Sequence, residues 1–274
     1  MPKTSWEWDE TLYAGSAAHY PVGRVAYPPA LAEAIRDALD LDGTGRLLDV
    51  GCGPGSLTLL LAPLFAESVG VDADPGMLAE AARHDAGRKV RWRALRAEFL
   101  PADLGRFRVV TFAQSFHWMD QPLVAERLRP AITQAWVHVG ATTHRGVPGD
   151  EPLEHPRPPW DAIEDLVRDF LGPVRRAGRS ALDGGTTLAG EEDVMRAAGF
   201  TGPTRLTAVP AYPLTRTTDE IVAAVLSLST SAPHHFGGRL PEFVDRLRAL
   251  VDAAADNGRF TEHMREIEIV IWRP

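Results

Sequence analysis

The segment Arg46-Leu47-Leu48-Asp49-Val50-Gly51-Cys52-Gly53-Pro54-Gly55-Ser56 constrains this chain more than any other stretch. A short apolar strand runs into a glycine-rich turn, and an apolar helical segment, Leu57 to Phe65, follows at once. Glycine lets a backbone turn tightly and approach a ligand without a Cβ in the way. Strand, glycine turn and helix start are the parts of a nucleotide-type pocket at the edge of an α/β sheet. The dinucleotide fingerprint has the spacing G-x-G-x-x-G. Here Gly51, Gly53 and Gly55 give G-x-G-x-G, and Ser56 stands where the third dinucleotide glycine belongs.

Ser68-Val69-Gly70-Val71-Asp72 reads as the next strand and ends in an acid 21 residues after Gly51. In a βαβ unit this spacing puts a carboxylate at the tip of the second strand, where it can accept both hydroxyls of a ribose. Asp74-Pro75 then opens a helix with Met77, Leu78 and Ala81 at helical spacing. The alternation continues downstream. Strands are expected at 89–95, 107–113 and 132–139, with a helix over 122–128 before the last. Helices between successive runs of Val, Leu and Ile predict a parallel sheet covered on both faces.

An arm over 1–28 carries Trp6, Trp8, Tyr13, Tyr20 and Tyr27, and Pro28-Pro29 starts a helix with Leu31, Ile35 and Leu39 on one face. Prolines and glycines between 145 and 160 break the βα rhythm. Helices follow from Trp160 to Leu171 and from Glu191 to Ala198, the latter ended by Gly199. Arg205 to Leu214 reads as one strand, two helices lie between Thr218 and Ala255, and Arg265 to Trp272 alternates as an antiparallel last strand. The expected fold is one α/β, Rossmann-like domain with a mostly parallel seven-stranded sheet. Residues 1–140 form the arm and the cofactor-binding half. Residues 141–274 supply a helical cap from insertions (141–199 and 215–258) and an antiparallel hairpin of the last two strands that completes the sheet.

With 274 residues, an apolar fraction of 45% and a charged fraction of 24%, the chain suits a soluble globular protein with its own core. The net charge of -8 argues against a nucleic-acid substrate. Neither a signal peptide nor an apolar run of membrane-spanning length is apparent, so a cytoplasmic location and no membrane partner are expected. The single cysteine, Cys52, leaves no intramolecular disulfide, and a small side chain filling the glycine turn is its simplest reading.

The turn with its preceding Asp49 resembles motif I of the class I S-adenosylmethionine-dependent methyltransferases. The order of parts resembles the small-molecule branch that includes trans-aconitate methyltransferase-like proteins. That branch is suggested by Ala97-Glu98-Phe99-Leu100-Pro101, by Gln114-Ser115-Phe116-His117-Trp118-Met119-Asp120, by Tyr20 and Arg24 ahead of Tyr27-Pro28, and by Leu228-Ser229-Thr230-Ser231 near an acceptor pocket. The resemblance implies S-adenosyl-L-methionine as cofactor and S-adenosyl-L-homocysteine as product. Asp49, Gly51, Cys52, Gly53, Gly55 and Ser56 would form the turn against it. Asp72, Ala73 and Met77 would take the ribose side, Ala97 and Glu98 the adenine, and Gln114 and Ser115 the far edge. Tyr20 and Arg24 would close over it, the guanidinium clamping the methionine carboxylate. Where relatives carry an acid before the Ala-Glu pair, this chain has Arg96, so either Glu98 or the backbone at Ala97 meets the adenine. An aromatic residue usual before the arm's arginine is Gly23 here.

Methyl transfer is an in-line displacement in which proximity and desolvation supply most of the acceleration. A hydroxyl or ammonium acceptor must also lose a proton, and histidine titrates near neutral pH. His117, just beyond the strand 107–113, is the candidate general base, the alternative being a residue that packs with Trp118 and shapes the adenine site. His144 and the His234-His235 pair are open between acceptor pocket and surface loop. Arg175, Arg176 and Arg179 are open between a solvated face and an attractor for an anionic acceptor. No metal-ligand motif is visible, so no metal is expected. The expected function is methylation of an oxygen or nitrogen (carbon less so) of a small molecule in specialised metabolism. Two other readings stand beside it, an NAD(P)-dependent oxidoreductase and a non-catalytic cofactor-binding protein. The acceptor and the oligomeric state are not legible.

Overall fold

A computed structural model of the chain describes residues 11–87, 89–101, 103–140, 145–147, 152–173 and 190–274. The arm ends in a short helix α1 (Tyr20–Gly23), and α2 (Pro29–Leu39) starts on its proline. The alternating part follows as β1 (Arg46–Val50), α3 (Ser56–Leu61), β2 (Glu67–Asp72), α4 (Pro75–His84), β3 (Val90–Ala94), β4 (Phe107–Ala113), α5 (Gln121–Leu128) and β5 (Ile132–Val139). After it come α6 (Trp160–Leu171), α7 (Glu191–Ala197), β6 (Thr201–Val209), β7 (Tyr212–Thr217), α8 (Thr218–Leu226), α9 (Leu240–Ala254), β8 (Arg259–Met264) and β9 (Ile267–Arg273).

Seven strands form one sheet in the order β3-β2-β1-β4-β5-β9-β6. The first five run parallel, and β9 lies antiparallel between β5 and β6. This is the expected Rossmann-like, mostly parallel sheet. Successive residues of a strand point to opposite faces, so the apolar run of β1 feeds two layers. Leu48 and Val50 pack with Val110, Phe112, Trp136 and the α5 residues Val124 and Leu128. Leu47 packs with Val109, Val137 and Ile271 against α2 and α3. The strand order reverses between β1 and β4, which places a crevice at their carboxyl ends.

A third core joins α6, α8 and α9 with Phe260 of β8 and forms the cap. The boundaries differ from the sequence reading in three places. The strand expected over 205–214 is two strands, β6 and β7, in different sheets. Pro210 lies at the break, where a residue without an amide hydrogen cannot continue a ladder. β8 pairs with β7 as a separate two-stranded ribbon, so the antiparallel β6 and β9 are partners across an insertion rather than a hairpin. Finally, α7 packs on α5 and β6 and puts Met195 into the sheet's own core, so the stretch 190–199 belongs to the sheet and not to the cap.

Candidate cofactor and active site

The carboxyl ends of β1, β2 and β4 open into a cavity of about 370 Å³, roofed by the arm and by the turn after α8. Its floor is the glycine turn. Gly51 and Cys52 both donate their amides to Val71 O, at 2.8 and 3.0 Å, which locks the turn to β2. The three glycines have positive φ angles of 66°, 54° and 80°, but serve different ends. A Cβ on Gly51 would meet Ser115 Cβ at 2.5 Å, and one on Gly55 would meet the Trp92 ring at 2.6 Å. A Cβ on Gly53 would meet no protein atom within 4 Å, because Gly53 faces the cavity.

Asp72 closes the ribose side. Its Oδ2 accepts the Gly53 amide at 2.8 Å and its Oδ1 accepts the Asp74 amide at 2.9 Å. Each oxygen keeps capacity for a further donor. Burial pushes this carboxyl above the usual range, and the two backbone donors oppose the shift. Ala73 and Met77 line the same side, and Asp74 caps α4 by accepting from Gly76 and Met77. Across the cavity, Glu98 is buried, with Oε1 accepting the Asp120 amide at 3.0 Å and Oε2 facing Arg96 Nε at 3.4 Å. Ala97 and Arg96 line the cavity beside it.

Beyond β4 the chain takes a strained step. Gln114 has φ 57°, uncommon for a residue with a Cβ, and its side-chain amide donates to Val139 O at 3.2 Å. Ser115 donates its hydroxyl to Val50 O at 2.6 Å, tying the ends of β4 and β1 together. A single 3-10 turn, Phe116–Trp118, then presents His117 to the cavity. Among the described residues its ring makes no hydrogen bond and only a tilted contact with Trp118, at 5.0 Å between centroids. Burial pushes His117 down to about 4, so the ring is neutral at neutral pH.

The roof is aromatic and basic. Tyr13 packs edge-on against Tyr20 and Trp118 at 6.1 and 5.9 Å. The Arg24 guanidinium sits 4.7 Å over the Tyr20 ring, and its Nη2 donates to Ser227 O at 3.0 Å. Arg24 Nε is buried without a hydrogen-bond partner among the described residues.

The cavity therefore brings together Tyr20, Arg24, Gly51, Cys52, Gly53, Ser56, Asp72, Ala73, Met77, Ala97, Glu98, Gln114, Ser115 and His117. Asp49 and Gly55 are not among its walls. The Asp49 carboxylate accepts from Thr58 Oγ1 at 2.6 Å and Thr111 Oγ1 at 2.7 Å, bracing β1 against α3 and β4. Burial raises it to about 6. Cys52 has its thiol pushed well up by burial, which keeps it protonated. His234 and His235 do not line the cavity; they pair with Ala14 O at 3.1 Å and Ser229 O at 2.9 Å. His144, the 175–179 arginines and the two arm tryptophans lie outside the described residues. Arg96 and Met119 are walls that sequence reasoning did not single out as site residues; their signal was adjacency to Ala97 and to His117-Trp118. No group of His, Cys, Asp and Glu among the described residues gathers as a metal site. Among them, no helix is long and apolar enough to cross a membrane.

Residues 47–133 match a family described as a methyltransferase domain. An uncharacterised methyltransferase of Mycobacterium tuberculosis is 39% identical over 127 residues, covering 44% of this chain and 50% of that protein. A ubiquinone biosynthesis O-methyltransferase of Methylococcus capsulatus is 31% identical over 163 residues, covering 54% and 66%. The chain thus spans about half the length of the first of these relatives. The solved structure of the [4+2]-cyclase SpnF overlays 96% of this chain and 92% of its own with a TM-score of 0.50 at 18% identity, a likeness of fold alone.

Proposed function

We propose, for a chain that belongs to the class I S-adenosylmethionine-dependent methyltransferases, that it methylates an oxygen or nitrogen of a small molecule. The observation that carries this reading is one cavity holding the Gly51–Gly53 turn, Asp72, Arg24 and His117, a neutral imidazole with no hydrogen-bond partner among the described residues. The walls fit the cofactor in two specific respects. A Cβ on Gly53 would project into open space on the cavity side, so its backbone leaves room for the close approach of a ligand. Arg24 is a wall whose guanidinium lies over the Tyr20 ring, so the positive charge that a methionine carboxylate would need stands at that end of the cavity.

When bound, S-adenosylmethionine supplies an electrophilic methyl on a sulfonium. Asp72 accepts from the ribose hydroxyls with the capacity that Gly53 and Asp74 leave free. Arg24 would hold the carboxylate end, and the aromatic walls Tyr13, Tyr20 and Trp118 would give the positive sulfur an apolar, π-rich surrounding. Ala97, Leu95 and Met77 wall the adenine side. Glu98 accepts from the Asp120 amide and faces Arg96, and like Asp72 it keeps acceptor capacity, so the base can be held by its carboxylate or by the Ala97 backbone and packing. His117 takes a proton from the acceptor on an imidazole nitrogen as the acceptor attacks. The ring is unprotonated at neutral pH and so open to a proton, while the burial that holds it near 4 makes it a weak base.

The small-molecule acceptor is favoured by the enclosed cavity and the acidic chain. Transfer of a labelled methyl group to a panel of phenols, carboxylic acids and amines tests the reading, and EDTA is expected to leave the rate unchanged. Label appearing in none of these, or only in nucleic acid, would overturn it.

A further inference from the structure

The ribbon of β7 and β8 buries an ion pair, Arg216 with Glu262, that is not among the walls of the cavity. Arg216 is 4% exposed and Glu262 is fully buried. Their closest charged atoms, Arg216 Nη1 and Glu262 Oε2, are 3.9 Å apart, longer than a good hydrogen bond. The strong bonds of the pair go outward instead. Arg216 Nη2 donates to Gly23 O at 2.8 Å and to Glu220 O at 3.0 Å. Glu262 Oε1 accepts the Gly146 amide at 2.9 Å and Trp160 Nε1 at 2.7 Å. One buried pair thereby joins the arm, α8, the loop at 145–147 and the start of α6.

Gly23 is the last residue of α1, so the guanidinium also meets the negative end of that turn. The next residue is Arg24, a wall of the cavity. The junction is close-fitting: a Cβ on Gly23 would lie 2.3 Å from the Ala223 carbonyl carbon, and one on Gly146 would lie 2.6 Å from Glu262 Cβ. A buried ion pair seldom stabilises more than an apolar pair of the same volume would. What this pair does that an apolar pair cannot is hold a particular carbonyl of the arm in place.

We propose that Arg216, oriented by Glu262, is a positioning residue that fixes the arm at Gly23 and so aims Arg24 into the cavity. The proposal rests on the methyltransferase reading for its consequence in ligand binding, but the fixing of the arm stands apart from it. Two measurements separate them. In the ligand-free full chain, Arg216→Met should speed amide hydrogen exchange over 20–27 while β1, β2 and β4 keep their protection, and Arg216→Lys should restore part of the protection. Exchange over 20–27 equal to wild type, or faster exchange throughout the sheet as well, would overturn the positioning role.

The second measurement is a double-mutant cycle on S-adenosylhomocysteine affinity by calorimetry. Arg216→Met and Arg24→Met should each weaken binding roughly ten-fold, the scale of one charge-assisted hydrogen bond. Together they should weaken it little more than either alone, because both remove the same aimed guanidinium. Arg216→Met combined with Asp72→Ala should multiply. Multiplying losses for the Arg216-Arg24 pair would show that Arg216 acts on the fold generally and contradict the proposal. A wild type that fails to bind S-adenosylhomocysteine would overturn the proposed function and the aiming of Arg24, leaving the arm's attachment decided by the exchange data.

Discussion

Between Arg46 and Val139 the chain buries apolar side chains on both faces of its central strands, whereas the ribbon of β7 and β8 buries Arg216, Thr261 and Glu262. The sheet meets the arm and the turn after α8 at the cavity, the ribbon stands behind the arm through Arg216 and Gly23 O, and the two sides contribute differently. The sheet offers backbone amides, the carboxylates of Asp72 and Glu98 and one imidazole, at or just beyond the ends of strands that packing holds rigid. The arm and cap offer an aromatic and basic roof held by hydrogen bonds to single carbonyls. The floor should therefore tolerate little change without loss of chemistry or binding, while the roof should fail by misplacement with the fold intact.

The largest effect is expected on the floor. His117→Ala should lower turnover by about 10²–10⁴-fold with S-adenosylhomocysteine affinity little changed. The pH profile sharpens the assignment. A base must be unprotonated to act, and burial holds His117 at about 4. Turnover in wild type should thus stay level as pH falls through 6.5 and decline only toward pH 4. An acid limb near 6.5 absent from His117→Ala would still assign the base but place it in a wetter setting. Equal rates for both proteins at every pH would remove His117 from the mechanism.

Next in size is Asp72→Ala, which should weaken cofactor binding by about 1–3 kcal/mol through loss of a charged acceptor to two hydroxyls. The glycines divide the floor further. Gly51→Val should disrupt the turn itself, since its Cβ strikes Ser115 and not the ligand space. Gly53→Ala should leave the fold standing, with roughly 1–2 kcal/mol of left-handed strain, yet weaken ligand binding beyond that strain. Thermal unfolding and calorimetry on both variants check the division; equal losses of melting temperature would erase it.

The contrast between the regions also explains what the sequence could disclose. β1, β4 and β5 were legible to the residue, and β2 within one residue, because their apolar runs are buried on both faces. Asp72 was legible from its distance to Gly51. β8 was not, because its buried residues include Thr261 and Glu262, and a polar pattern reads as a surface. The split of β6 from β7 turns on Pro210 within a stretch of strand-forming residues. Asp49 shows a different limit. Its place in the motif suggested the ligand, while its side chain lies on the Leu47 face, where two threonines receive it.

The last effect, on stability and not on the ligand, belongs to Asp49. Its folded-state carboxyl is raised to about 6 from an ordinary value of 3.8. A raised carboxyl contributes stability that is complete below the ordinary value and is lost as pH rises through the folded one. The wild type should accordingly lose stability relative to Asp49→Asn between pH 4 and 6.5. A difference in melting temperature between the two that stays constant over this window would contradict the burial of an ionisable group there.

The account depends most on the cavity being a cofactor site built on Asp72 and the Gly51–Gly53 turn. Calorimetric titration of S-adenosylhomocysteine, with NADH as the competing ligand, tests it most directly on wild type and Asp72→Ala. The account predicts one-to-one binding of S-adenosylhomocysteine, no heat with NADH, and affinity reduced in the variant. Binding of NADH in place of S-adenosylhomocysteine, or S-adenosylhomocysteine affinity unchanged by Asp72→Ala, would contradict it.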